Sequence, residues 1–161
     1  DEFTIDMFHE ELVDLIDFVV CNDEVKSSDD DQVSRRGQLH RKLNEENATS
    51  DYCTWFLRVI TSAYMKKDAD RFIHFLDDPN YFDVATFCQR EVDPMGKECG
   101  QVQALALAEA FSIVVNIEYL DGNGLVNDAL VKHTFGGSEG KDGRVNIHLL
   151  YRPGHYDVLY K

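Results

Sequence analysis

Helical patterns come first along this chain and strand patterns last, which predicts an α+β fold: a helical lobe packed on a small, mainly antiparallel sheet near the C-terminus. Three observations carry the prediction. Before residue 112 the apolar residues recur at three and four positions, the spacing that lines one face of a helix. A β-branched run then follows, Ile113-Val114-Val115-Asn116-Ile117-Glu118-Tyr119. Last, Val145, Ile147, Leu149 and Tyr151 alternate with other residues, the period of a strand.

Taken in order, Thr4 is placed as the cap of a first helix with apolar positions Ile5, Phe8, Leu12, Leu15, Ile16 and Val19. Phe3 before that cap and Phe8 inside it fit a hydrophobic staple. Asn22 to Gln32, acidic and serine-containing, reads as a loop. A polar helix over 33–47 follows, interrupted by Gly37. Thr49 or Ser50 caps a stronger helix bearing Trp55, Phe56, Val59, Ile60, Ala63 and Tyr64. Shorter helices are predicted over 70–76, ended by Pro79, and over 81–91, ended near Pro94. Residues 101–111 are apolar almost all round and predict a central, buried helix. It runs directly into the β-branched run, read as an interior strand. Asp121 to Gly124 is read as a turn, and the stretch to Gly143 as a long variable segment. Arg152-Pro153-Gly154-His155 puts proline and glycine where a type II turn wants them, and a final strand covers 155–160.

The composition limits the partners. Thirty acidic against 16 basic residues give a formal charge of −14, so phosphate backbones and anionic lipids are repelled. A protein partner with a basic rim is favoured instead. No apolar run approaches the roughly 20 residues of a membrane-spanning helix. The chain opens Asp1-Glu2-Phe3-Thr4 without Met or a signal peptide and is expected to be a piece of something longer. Cys21, Cys53, Cys88 and Cys99 form no CxxC pair, so neither a metal site nor a disulfide framework is expected. Reduced thiols in a cytoplasmic or nuclear protein are the expectation, and no cofactor is implied. The sequon Asn47-Ala48-Thr49 is then silent.

Chemistry concentrates in His155-Tyr156-Asp157. On a strand, residues two apart point to one face, so the Asp157 carboxylate can hold one imidazole nitrogen and leave the other free to take a proton. That is the base-and-orienter half of a nucleophilic triad. The tripeptide alone is a weak signal. His9, His40 and His74 sit on predicted helices without nearby partners, and His148 lies within a strand. Cys88 reads as a small buried hydrophobe within a helix. None of the cysteines follows a strand-like approach into a helix N-terminus, where the dipole would favour a thiolate.

Four blocks, in order, add a resemblance. Leu149-Leu150-Tyr151-Arg152-Pro153-Gly154-His155-Tyr156-Asp157-Val158-Leu159-Tyr160 resembles the C-terminal signature of the otubains, a branch of the ovarian-tumour-domain (OTU) cysteine proteases. Phe87-Cys88-Gln89-Arg90-Glu91-Val92-Asp93-Pro94-Met95 resembles a second otubain block. Phe56-Leu57-Arg58 with Thr61-Ser62-Ala63-Tyr64 resembles a third, and Phe3-Thr4-Ile5 a fourth.

The resemblance implies a papain-like OTU fold, with residues 1–161 the larger, C-terminal part of a single catalytic domain. It implies a deubiquitinase that hydrolyses isopeptide bonds in polyubiquitin, with His155 as general base and Asp157 as its orienter. The family's nucleophile lies in an Asp-Gly-Asn-Cys-Phe-Tyr-Arg motif upstream of the region matched by Phe3. This chain therefore supplies the base and not the thiol, and alone is expected to be inactive. Asp121-Gly122-Asn123 imitates the motif, but Gly124 stands where cysteine is needed. By the same resemblance the ubiquitin-facing surface draws on Phe3, Thr4, Tyr64 and a loop at His133 and Phe135. The implied partners are ubiquitin and polyubiquitin. An alternative is a non-catalytic inhibitor that binds ubiquitin-charged conjugating enzymes.

Overall fold

The computed structural model describes residues 2–23, 29–44, 48–76, 78–120, 130–137 and 143–160. The chain divides into two compact units, residues 1–59 and 60–161. In the first unit, α1 (Glu2–Asp23) and α2 (Asp29–Asn44) precede the opening turns of α3 (Thr49–Lys67). Phe8 is the buried anchor of α1, with its ring 5.2 Å from that of Tyr52 and 5.0 Å from that of Trp55. Within this unit Ile5, Ile16 and Val19 stay exposed although they belong to the predicted apolar face.

Three sequence expectations change here. Helix α1 already begins at Glu2, which puts Thr4 inside the first turn and removes its role as cap and the staple built on it. Of the loop predicted over 22–32, residues 22–23 and 29–32 are helical, because α1 reaches Asp23 and α2 starts at Asp29. Arg41 and Lys42 suit the negative end of the α2 dipole. Gly37 does not interrupt α2, since one glycine costs only about 0.5–1 kcal/mol against alanine. In α3, Thr49 is the first helical residue and not the cap. It follows Ala48 at φ 59°, and its hydroxyl donates to the Glu11 carboxylate at 3.1 Å.

The second unit holds a four-stranded sheet in the order β2-β1-β3-β4. Its strands are β1 (Val114–Tyr119), β2 (Val131–Phe135), β3 (Asn146–Arg152) and β4 (His155–Leu159). The two outer pairings are antiparallel, as expected, but the central β1–β3 pair is parallel. Strand β2 was not foreseen and lies inside the segment read as irregular. Lys132, His133 and Thr134 are exposed, so this edge strand carries no apolar alternation for a sequence reading to detect. Asp121-Gly122-Asn123-Gly124 lies outside the described residues.

Helix α6 (Gln101–Ala110) is the central helix that its all-round apolarity predicts. Ala106 belongs to a core with Met65, Phe72, Val84, Cys88 and Val92, and Ala108 to a second core with Val115, Ile117 and Tyr119. Small side chains let the backbone approach closely on that side. Gly136 shows how closely: a Cβ there would meet the Ile113 carbonyl at 2.2 Å and the Ala108 methyl at 3.0 Å. The helix predicted over 70–76 is α4 (Ala69–Phe72) continued by a 3-10 turn, Ile73–Phe75. The helix predicted over 81–91 starts later, as α5 (Val84–Phe87) and a π-helical turn, Cys88–Val92. Asp83 decides the start by accepting from the Thr86 amide at 2.7 Å, which makes it the cap. Among the described residues no helix is long and apolar enough to cross a membrane.

Candidate functional site

The site is built on the β3–β4 hairpin. Gly154 has φ 76°, the left-handed value that a type II turn requires at its third position, and Arg152 and His155 become register partners on either side of the turn. Since faces alternate along a strand, Arg152, His155 and Asp157 lie on one face, and Tyr151 and Tyr156 on the other. The His155 Nε2 atom stands 3.0 Å from Asp157 Oδ1, and Asp157 Oδ2 accepts from Arg152 Nη2 at 2.6 Å. The bond to His155 first, and then that to Arg152, hold the Asp157 carboxyl below its usual range. It is therefore ionised throughout the neutral range. With Nε2 engaged, Nδ1 is the nitrogen left for proton transfer. Both side chains are open to solvent, His155 at 58% and Asp157 at 43% exposure, so a substrate can reach them.

His155, Gly154 and Tyr156 line a cleft of about 1010 Å³, together with Glu98, Cys99 and Tyr119. Aromatic rings run across the sheet on the face opposite Asp157. His133 and Tyr119 are 5.0 Å apart, Tyr119 and Tyr151 5.1 Å, and Tyr151 and Tyr156 5.0 Å. Burial, and then the neighbouring Tyr119 and Cys99, push the Tyr156 hydroxyl up to about 12. Its ordinary value is 10.0, so the folded state favours the neutral phenol, and this stabilisation is complete below pH 10 and lost as pH rises towards 12. Tyr64 and Tyr81 are shifted in the same direction. Stability measured by denaturant titration is expected to decline across that window, and Tyr156→Phe to flatten part of the decline. An unchanged slope in the variant would show that Tyr156 titrates normally.

The cysteines separate clearly. Cys88 is fully buried, its Sγ lies 3.9 Å from the Ser62 carbonyl, and burial pushes its thiol up. Cys53 is also buried, and desolvation followed by the Glu11 charge pushes its thiol up as well. Both suit the core and not nucleophilic attack. Cys99 is exposed and borders the same cleft as His155, just before α6, a proximity that its position in sequence did not reveal. Nothing is described of the Cys21 side chain.

The remaining sequence-derived candidates are scattered. Tyr64 is half-buried on α3, edge-on to Phe72 at 6.1 Å, and burial followed by the Glu109 charge pushes its hydroxyl up. His133 and Phe135 lie on strand β2 and not in a loop, with stacked rings 6.4 Å apart, and His133 borders the cleft. Phe3 and Thr4 belong to the first turn of α1 in the other unit. The structure thus joins His155 with Asp157 and brings His133 to the same cleft. Sequence reading missed Arg152, although a residue three before a histidine across a two-residue turn must be its partner in register. Among the described residues no group of histidine, cysteine or carboxylate side chains could hold a metal ion.

Comparison with known proteins places these features in context. The family model described as Peptidase C65 Otubain matches residues 1–161. Ubiquitin thioesterase OTUB1 of Rattus norvegicus is 40% identical over 161 residues, covering 99% of this chain and 52% of that protein. Ubiquitin thioesterase OTUB2 of Homo sapiens is 37% identical over 119 residues, covering 74% of this chain and 47% of that protein. The chain therefore spans about half the length of these relatives. The solved structure of a ceOTUB1 ubiquitin aldehyde UBC13~Ub complex superposes with a TM-score of 0.66 at 27% identity, covering 99% of this chain and 66% of that one.

Proposed function

Because this chain belongs to the otubain family of C65 peptidases, we propose that it carries the acid–base half of a cysteine-protease site that hydrolyses isopeptide bonds in ubiquitin conjugates. The observation that carries this reading is the 3.0 Å contact of His155 Nε2 with Asp157 Oδ1 at the exposed start of a strand. In the proposed cycle a cysteine thiol gives its proton to His155 Nδ1, and the thiolate attacks the isopeptide carbonyl. The imidazolium then protonates the departing lysine amine, and an acyl-thioester remains. A water molecule, deprotonated by the same imidazole, hydrolyses the thioester and returns the thiol. Asp157 keeps the ring oriented and steadies its positive form.

Ubiquitin as the substrate is supported by the names of the relatives, which are ubiquitin thioesterases. The −14 charge favours a basic partner surface and faster association at low salt. A second reading, binding of a ubiquitin-charged conjugating enzyme, is supported by the UBC13~Ub complex of a structural relative. The nucleophile is proposed to come from outside residues 1–161: Cys53 and Cys88 are buried with raised thiols, and exposed Cys99 at the His155 cleft is the candidate within the chain that a cleavage test must exclude.

Incubation with di-ubiquitin tests the assignment. Residues 1–161 alone are expected to bind ubiquitin without cleaving di-ubiquitin, and the full-length protein to cleave it. Cleavage by the isolated chain that disappears on Cys99→Ala or Cys88→Ala would put the nucleophile within it. A full-length protein that binds charged conjugating enzyme and never cuts would favour the second reading.

A further inference from the structure

We propose that Arg152 is a positioning residue for the catalytic pair: its guanidinium anchors one oxygen of Asp157 so that the other meets His155. The proposal rests on the reading of His155 as the base. Each Asp157 oxygen has one partner, Arg152 Nη2 at 2.6 Å on Oδ2 and His155 Nε2 at 3.0 Å on Oδ1. Among the described residues, no other hydrogen bond or ion pair reaches these three side chains. The orientation of the carboxylate therefore depends on the two ends of a short chain of contacts.

The chain of contacts follows from the hairpin. A two-residue turn makes Arg152 and His155 register partners, and alternation returns Asp157 to their face. An exposed aspartate rotates broadly about its last torsion, so a single bond to an imidazole leaves it many orientations. A second, charge-assisted bond from a fixed neighbour removes most of them. Exposed ion pairs add little to folding stability, so the consequence of this one lies in where it holds the carboxylate. An opposing effect exists, because the arginine charge also weakens the attraction between Asp157 and an imidazolium. At roughly half-exposed side chains water and salt screen that charge effect. Geometry is not screened, and the orienting effect prevails.

The test uses the full-length protein, with kcat and KM for di-ubiquitin measured separately and ubiquitin binding and thermal midpoint as controls. Arg152→Ala is expected to lower kcat on the order of 10-fold, the scale of a modest misplacement, with KM little changed. Arg152→Lys, which keeps the charge and one donor, is expected to recover part of the loss. In an Asp157→Asn background, adding Arg152→Ala is expected to lower kcat no further. An unchanged kcat in Arg152→Ala, or an equal loss with and without Asp157, overturns the proposal. If Arg152→Ala does not fold, Arg152→Gln, with its shape retained, answers the same question. His155→Ala separates the two readings: normal cleavage by that variant removes the base assignment itself, whereas an inactive His155→Ala beside a fully active Arg152→Ala removes only the role of Arg152.

Discussion

Replacement of His155 by alanine in the full-length protein is expected to reduce di-ubiquitin turnover by roughly 10²–10⁴-fold, the usual contribution of a positioned acid–base group. Ubiquitin binding is expected to stay largely intact, because the imidazole projects from an exposed turn and supports no core contact. In the proposed cycle this change removes both proton transfers, the one that forms the thiolate and the one that releases the amine. Asp157→Asn is expected to be milder, on the order of 10–10³-fold. It preserves shape but loses the charge that steadies the imidazolium, and a thiol–imidazole pair can ionise without its third member. Single-turnover cleavage, with binding measured apart, checks both variants. Near-normal cleavage by His155→Ala would end the catalytic reading of the hairpin.

Truncation of Phe72 to alanine is expected to destabilise the protein by about 3–5 kcal/mol, the range for a buried aromatic ring. Phe72 is fully buried in the core with Met65, Val84 and Cys88, and its ring meets those of Tyr64 at 6.1 Å and Phe75 at 6.2 Å. Next to it Arg71 stacks over the ring at 4.5 Å and binds the Glu109 carboxylate on α6. Total stabilities of roughly 5–15 kcal/mol make a loss of this size severe. Phe75, which is 44% exposed, supplies the comparison: Phe75→Ala is expected to cost clearly less. Denaturant midpoints of the two variants decide the matter. Equal losses would show that the core is not centred on Phe72.

Much of this molecule was legible in the residues. The near-continuous apolarity of 101–111 and the β-branched run after it marked α6 and β1, whose residues are buried or half-buried apart from Gln101. Pro153 and Gly154 marked the hairpin, and the spacing of His155 and Asp157 put them on one face. Local chemistry determined these features: each depends on a period, a turn or a two-residue separation. The cap at Asp83 could have been found by the same reasoning, since Thr86 lies three residues on.

Other features are decided by neighbours distant in sequence. Strand β2 exists because β1 offers it an edge, although its own exposed residues show no strand pattern. The parallel β1–β3 pairing, the cleft shared by Cys99 and His155, and the aromatic row from His133 to Tyr156 all arise when separate strands come into register. Hydrophobic periodicity tells a strand which face to bury and does not name its partner, since burial is non-directional and the ladder bonds of one strand fit any other. The sequence by itself thus determined most of the elements and the placing of His155 beside Asp157. Tertiary pairing alone decided what surrounds that pair.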